Sequence, residues 1–186
     1  DISSHQAAST ESDGTLWFTR QEEVYQSTFN EAPTRVDGGG LPPGIRSFIT
    51  PTQNHLFVGV HGRGLYRGSR LGGDFVSVDT GLENPLLSLL NAETTPVAQA
   101  LREADGVLWL AAAGGLFSSV DEGLSWTLAP TAASGSVNVL FTDVEVDGQT
   151  IVAVGMLPSS LIPKDYQGLL KGTVFRSDDG GQTWSD

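Results

Sequence analysis

Short apolar runs recur along the chain, and a polar reversal leads each one. Asp13-Gly14 precedes "TLWF", Asp105-Gly106 precedes "VLWL" and Asp147-Gly148 precedes "QTIVAV". An Asp-Gly pair between apolar runs predicts a hairpin, because both central residues of the favoured turn take positive φ. Between the first two lies "QNHLFV", with Asn54 in the glycine's place; asparagine tolerates the left-handed region better than most residues. The reversals lead into apolar strands whose matching positions are Leu16, Leu56, Leu108 and Thr150, spaced 40, 52 and 42 residues apart.

A second element repeats behind each strand: "EVYQST", "GLYRGS", "GLFSSV" and "TVFRSD", aligned on Tyr25, Tyr66, Phe117 and Phe175. Further segments flank these two, such as "VNVLFTDVEV" before the last reversal and "FVSVDT" after the second unit. Each unit therefore reads as four short antiparallel strands, and a repeat of roughly 40–45 residues is the size of a β-propeller blade. The second strands, "LFVGV", "LWLAAA" and "IVAVG", are apolar on both faces and need cover on both. A β-sandwich would bury one face of each sheet and alternate more cleanly. The expected fold is all-β, a propeller of four-stranded antiparallel blades, with about four blades visible and a larger ring around them. The blades fall at about 1–40, 41–82, 95–131 and 136–186. The last is incomplete, since the chain stops at "TWSD", where its outer strand begins. An open arc exposes an apolar blade face, so further sequence or a partner is expected to cover it.

One turn is written twice. "SSVDEGLSW" supplies Ser119, Asp121, Gly123, Ser125 and Trp126, and "RSDDGGQTW" supplies Ser177, Asp179, Gly181, Thr183 and Trp184. This spacing resembles the Asp-box, or BNR repeat, of a β-propeller superfamily. That superfamily includes sialidases, xyloglucanases, sortilin-type receptors and photosystem II assembly-factor propellers. The aspartate is expected to accept backbone N–H groups, the glycine to supply unusual backbone angles, and the Ser or Thr hydroxyl to satisfy a further backbone group. The tryptophan is an apolar plug between sheets. The resemblance implies a structural turn on the outer rim, away from any axial site. It also implies a secreted, periplasmic or lumenal location. In the second unit Arg70 stands where the aspartate would be and Phe75 where the tryptophan would be, and the first unit has no box.

Charge narrows the partners. Ten basic against 22 acidic residues give a formal charge of −12, which repels nucleic-acid phosphates and anionic lipid. No apolar run approaches the roughly 20 residues that cross a bilayer, so neither nucleic acid nor direct membrane insertion is expected. There is no cysteine, which excludes disulfides and thiolate metal sites. We expect no cofactor and no metal. Asp143, Glu145 and Asp147 alternate onto one strand face, but calcium requires six to eight oxygens from a curved loop, and a water-wetted strand is the expected reading.

Candidate binding residues lie at irregularities of the repeat. His61 and Arg63 occupy the tip of the turn "GVHGRGLY" and suit an acidic or hydroxylated partner. The fourth unit carries an insertion at 156–172, where Leu161, Ile162, Leu169 and Leu170 are apolar and Lys164 and Tyr166 polar; a loop of this length suits a contact with a partner. The link "GLENPLLSLLNAETTP" is read as a short helix packed on its own blade. For catalysis, the resemblance to sialidases implies an arginine trio and a Tyr–Glu nucleophile pair. No Arg-Ile-Pro motif is present: Arg46 lies in "GIRSF", Arg35 in "PTRVD", and Tyr25 and Tyr66 sit at matched repeat positions. All four tryptophans also sit at repeat positions, leaving little support for a carbohydrate module. The expected function is a non-catalytic, extracytoplasmic propeller that binds other protein subunits as a scaffold. The alternative is a glycoside hydrolase whose site lies partly in blades outside this segment.

Overall fold

The computed structural model describes residues 7–20, 22–82, 97–131, 139–156 and 172–185. Every regular element among them is a strand. The insertion residues Leu161, Ile162, Lys164, Tyr166, Leu169 and Leu170, and most of the link read as a helix, lie outside the described residues.

Four antiparallel sheets follow one another along the chain. The first joins β1 (Ala8–Thr10), β2 (Leu16–Arg20), β3 (Glu23–Ser27) and β4 (Thr34–Arg35) in sequence order. The chain then passes through β5 (Asp37–Gly39) into β6 (Arg46–Pro51), β7 (His55–Val60) and β8 (Gly64–Ser69). β9 (Gly73–Asp74) pairs in parallel with β5, tying the link from the first blade to the rim of the second, and β10 (Val76–Ser77) completes the second sheet. The third sheet runs β11 (Ala98–Ala104), β12 (Val107–Ala112), β13 (Gly115–Ser119) and β14 (Thr127–Leu128). The fourth has β15 (Leu140–Asp147), β16 (Thr150–Met156) and β17 (Gly172–Ser177). Reciprocal bonds between Arg176 and Ser185, at 2.9 and 2.8 Å, begin its outer strand.

The sheets are propeller blades stacked face on face. We call the side toward the following blade the front and the other the back. Trp17 and Val24 from the front of the first blade meet Leu56, Val58 and Val60 from the back of the second. Phe57 and Leu65 then meet Leu108, Leu110, Phe117 and Trp126. Trp109, Ala111 and Leu116 meet Ile151, Ala153 and Phe175. Leu56 and Phe57 thus serve opposite junctions, because successive strand residues point to opposite faces. This is the physical origin of the two-sided apolar strands. Each large side chain buried in these junctions contributes about 1.5–3 kcal/mol.

Three expectations about the reversals are corrected. Asp13-Gly14 sits inside the loop 11–15 between the paired Thr10 and Leu16, and of the two only Gly14 has positive φ, 88°. Ile151, not Thr150, is the counterpart of Leu108: Ile151 pairs with Ser177 as Leu108 pairs with Ser119, and both face the preceding blade. Asp105 and Gly106 form the loop between the paired residues Ala104 and Val107, and both have positive φ, 51° and 76°. Asp147 is itself paired, with Thr150, so the fourth reversal turns on Gly148-Gln149, with Gly148 alone at φ 55°. The extra residue shifts the apolar register by one. Asn54 is likewise not left-handed. Its turn is closed through the Thr52 hydroxyl, which accepts the His55 N–H at 3.1 Å, and the Asn54 amide reaches forward to Glu122 at 2.5 Å.

β6, β11 and β15 pack consecutively and form the inner edges of their blades. Each has a bulge, between Arg46 and Phe48, Ala98 and Ala100, and Phe141 and Asp143. The extra residues are Ser47, Gln99 and Thr142, each polar and each beside a buried apolar neighbour. Bulges re-aim side chains in this way.

Candidate functional site

Three places gather the chemistry-bearing residues. The first is the repeated turn between the third and fourth strands of a blade. The Ser119 hydroxyl accepts the Gly123 N–H at 2.9 Å and donates to the Asp121 carboxylate at 2.7 Å. Asp121 also accepts the Ser125 N–H at 2.9 Å and the Ser125 hydroxyl at 2.6 Å. Ser177, Asp179 and Thr183 repeat this set, with the Gly181 N–H at 2.8 Å from Ser177 and the Thr183 N–H at 2.8 Å from Asp179. The second hydroxyl therefore serves the carboxylate and not a backbone group. These donors, the Ser125 and Thr183 hydroxyls foremost, hold Asp121 and Asp179 down to about 2 from the ordinary 3.8. A carboxylate so fixed as an anion is no general acid at neutral pH.

The glycine of this turn is a contact point. A Cβ on Gly123 would lie 2.7 Å from the Phe57 ring of the preceding blade, and one on Gly181 would lie 2.3 Å from the Trp109 ring. Both glycines have positive φ, 81° and 87°. Trp126 is buried and donates its indole N–H to the Val78 carbonyl of the blade before, at 3.0 Å. Trp184 is half-buried, packs edge-on to Trp109 at 6.0 Å between ring centres, and bonds the Gly181 carbonyl of its own turn.

The second place is a cavity of about 810 Å³ reached by the inner strands of all four blades. Its wall carries hydroxyls and amides such as Thr10, Thr50, Gln99 and Thr142, together with two arginines and three acids. Each acid is already engaged. Glu11 takes a two-pronged contact from Arg70, at 2.6 and 2.8 Å, and the Trp17 indole N–H at 2.6 Å. Glu103 accepts the Gln53 N–H at 2.7 Å. Asp143 caps its neighbour's N–H at 2.9 Å and lies 3.8 Å from Arg102, which binds Glu145 at 2.6 Å. Among the described residues, no three acids or histidines converge as metal ligands. Asp143 and Glu145 instead flank one guanidinium.

The third place is the opposite rim of the second blade. His61 and Arg63 are both exposed at the tip of the turn between β7 and β8. Ile45, 46% exposed, lies alongside and accepts the His61 N–H through its carbonyl at 2.8 Å. The Tyr66 hydroxyl bonds the Arg63 carbonyl at 3.1 Å, and burial, followed by the nearby Asp79 charge, pushes its pKa up. Beneath them Arg46 is buried, and desolvation lowers its pKa. Arg46 donates to the Pro42 carbonyl at 2.7 Å and the Glu22 carbonyl at 2.8 Å, pinning the inter-blade link and the facing turn of the first blade to one side chain. Glu22 stands at φ 72° in that turn and accepts the Gly44 N–H at 3.1 Å. A strained residue held by its surroundings is a common mark of a recognition surface. Sequence reasoning found His61 and Arg63 but not their support, because an arginine opening an apolar strand resembles a solvated strand end.

Comparison with known proteins bears on the fold. No family model matches the chain, and no curated protein does. Among solved structures it is similar to the extracellular domain of BT4673 from B. thetaiotaomicron, with TM-score 0.64 and 15% identity over 96% of this chain and 22% of that one. It is similar to an ancestral GH74 enzyme, with TM-score 0.55 and 14% identity over 96% of this chain and 27% of that one. It is also similar to YCF48 from Cyanidioschyzon merolae, with TM-score 0.52 and 18% identity over 80% of this chain and 47% of that one. The chain spans about a fifth of the length of the first of these structures. At such identities the likeness shows the β-propeller fold and no activity.

Proposed function

We propose that this chain is a non-catalytic, extracytoplasmic propeller of the Asp-box type that binds another protein through the rim formed by His61, Arg63 and Ile45. The observation that carries the non-catalytic part is the state of the acids in the axial cavity: Glu11, Glu103 and Asp143 are each held by an arginine or a backbone N–H. Glycoside hydrolysis needs two carboxyl groups facing one bond, one of them kept protonated. The rim supports the binding part. It offers two cationic or protonatable tips beside an exposed apolar residue, on turns fixed from below by Arg46. On a chain of net charge −12, such a patch suits an acidic protein surface. The likeness to an extracellular domain supports the location.

The test has two arms. A photoreactive residue placed at Arg63 is expected to yield a defined protein adduct that His61→Ala and Ile45→Asp abolish. Against a panel of glycans the chain is expected to show no hydrolysis. Turnover of any glycan that Glu103→Gln or Asp143→Asn removes would overturn the reading.

A further inference from the structure

The junction between the second and third blades is fastened at one point by a strained residue. Glu122, in the repeated turn of the third blade, stands at φ 58°, a conformation that persists where neighbours hold it. Both of its polar ends reach back to the second blade. Its carboxylate accepts the Asn54 amide at 2.5 Å, and its carbonyl accepts the Arg67 guanidinium at 2.7 Å. The next residue, Gly123, bears the Phe57 ring of the second blade.

His55 stands among these contacts. Thr52 holds its backbone, and its half-buried imidazole meets the Phe57 ring edge-on at 6.4 Å between ring centres. Its Nδ1 lies 3.8 Å from the second Glu122 oxygen, too far for a hydrogen bond. The two side chains share a narrow pocket with Thr52, Glu103 and Leu108. Three charges face the imidazole: Glu122 and Glu103 from the third blade, and Arg67 from β8 of its own. Burial, followed by Arg67, holds its pKa below the ordinary 6.5 against the pull of the two glutamates. The neutral ring therefore belongs to the closed junction. An imidazolium must regain water, and it does so by opening the pocket.

We infer that His55 and Glu122 form a proton-sensitive clasp between the second and third blades, closed while the imidazole is neutral and loosened when it takes up a proton. The unfolded chain binds this proton first. The clasp's contribution to stability is thus complete above about pH 6.5 and declines as pH falls toward the folded value. Ordinary carboxylates titrate lower, which leaves the interval near pH 6 to the histidines. His61 is exposed on the opposite rim, and His5 lies outside the described residues, so both serve as controls.

Urea denaturation of the 186-residue chain at about pH 7.5 and 5.5 tests the clasp. The wild type is expected to lose stability at the lower pH and His55→Gln to keep it, while His5→Gln and His61→Gln lose as much as the wild type. Amide exchange at 120–124, corrected for its intrinsic pH dependence, is expected to quicken at the lower pH in the wild type and not in His55→Gln. An NMR titration of the folded wild type reads the same proton directly. The His55 value is expected below about 6.5, to rise in Arg67→Gln and to fall further in Glu122→Gln. Equal wild-type stability at both pH values would overturn the inference, as would a loss that His55→Gln retains. So would a His55 titration that neither charge variant moves, or exchange at 120–124 that is indifferent to pH.

Discussion

The junction between the first two blades and the two that follow solve one packing problem differently. At the later junctions a front aromatic ring lies against the glycine of the repeated Ser-Asp-Gly turn, which has no side chain and so makes room. The second blade lacks this Ser-Asp pair, and there Arg70 stands in the aspartate's place. Its guanidinium lies over the Trp17 ring, 5.5 Å from the centre, while it binds Glu11 and the Thr52 carbonyl. The later junctions thus set an aromatic ring on a bare glycine, whereas the junction between the first two blades adds a cation–π contact and an ion pair to its apolar packing. The first solution depends on backbone shape, whereas the second depends on charge and is open to salt.

The largest expected effect comes from filling the glycine. Gly181→Ala must hold a left-handed angle and push the Trp109 ring aside, at a cost of about 3 kcal/mol from backbone strain and overpacking together. Gly14→Ala, at φ 88° with nothing within 4 Å, is expected to show the strain alone; chemical denaturation of both variants separates the two parts. Equal losses would mean that the ring contact is unimportant. Next comes Ser119→Ala, which leaves the Gly123 N–H buried without its acceptor and is expected to cost about 2 kcal/mol. Arg70→Ala follows at about 1–2 kcal/mol. Unlike the other variants, it should lose much of its effect in molar salt, so a salt series of melts distinguishes the two kinds of junction.

The smallest change is expected from acid titration of the two turn aspartates. Asp121 and Asp179 have folded values depressed to about 2 from 3.8. Their contribution is therefore complete above the unfolded value and is lost as pH falls through the folded one. Melts of the wild type are expected to decline between about pH 4 and 2, and those of an Asp121→Asn, Asp179→Asn double variant to decline less. A double variant that parallels the wild type would show that these two aspartates carry no linked proton.

The fold was legible because packing leaves its mark on every strand. "LWLAAA" is apolar at adjacent positions only because Leu108 and Trp109 serve different junctions. The turns were less legible. Asp147-Gly148 and Asp105-Gly106 are the same dipeptide, yet one aspartate ends a strand and the other turns the corner. The difference is one of register: Gly148 and Gln149 make the corner in one hairpin and Asp105 and Gly106 in the other, which the shared dipeptide does not specify. The axial cavity escaped the sequence altogether. Thr10, Thr50, Gln99 and Thr142 are scattered over more than 130 residues, and only the curvature of the arc brings them together. Two of the bulged residues, Gln99 and Thr142, line the cavity, but a single polar residue in a strand also reads as an exposed edge.

The third blade alone carries both halves of the aromatic-on-glycine contact, Gly123 at its back and Trp109 at its front. It is therefore its own template. A tandem copy of this segment, spliced in behind the original, would meet an identical module and lengthen the protein without a new surface being invented. A tandem copy of the fourth blade would set Val152 over Gly181 and leave a hole the size of an indole.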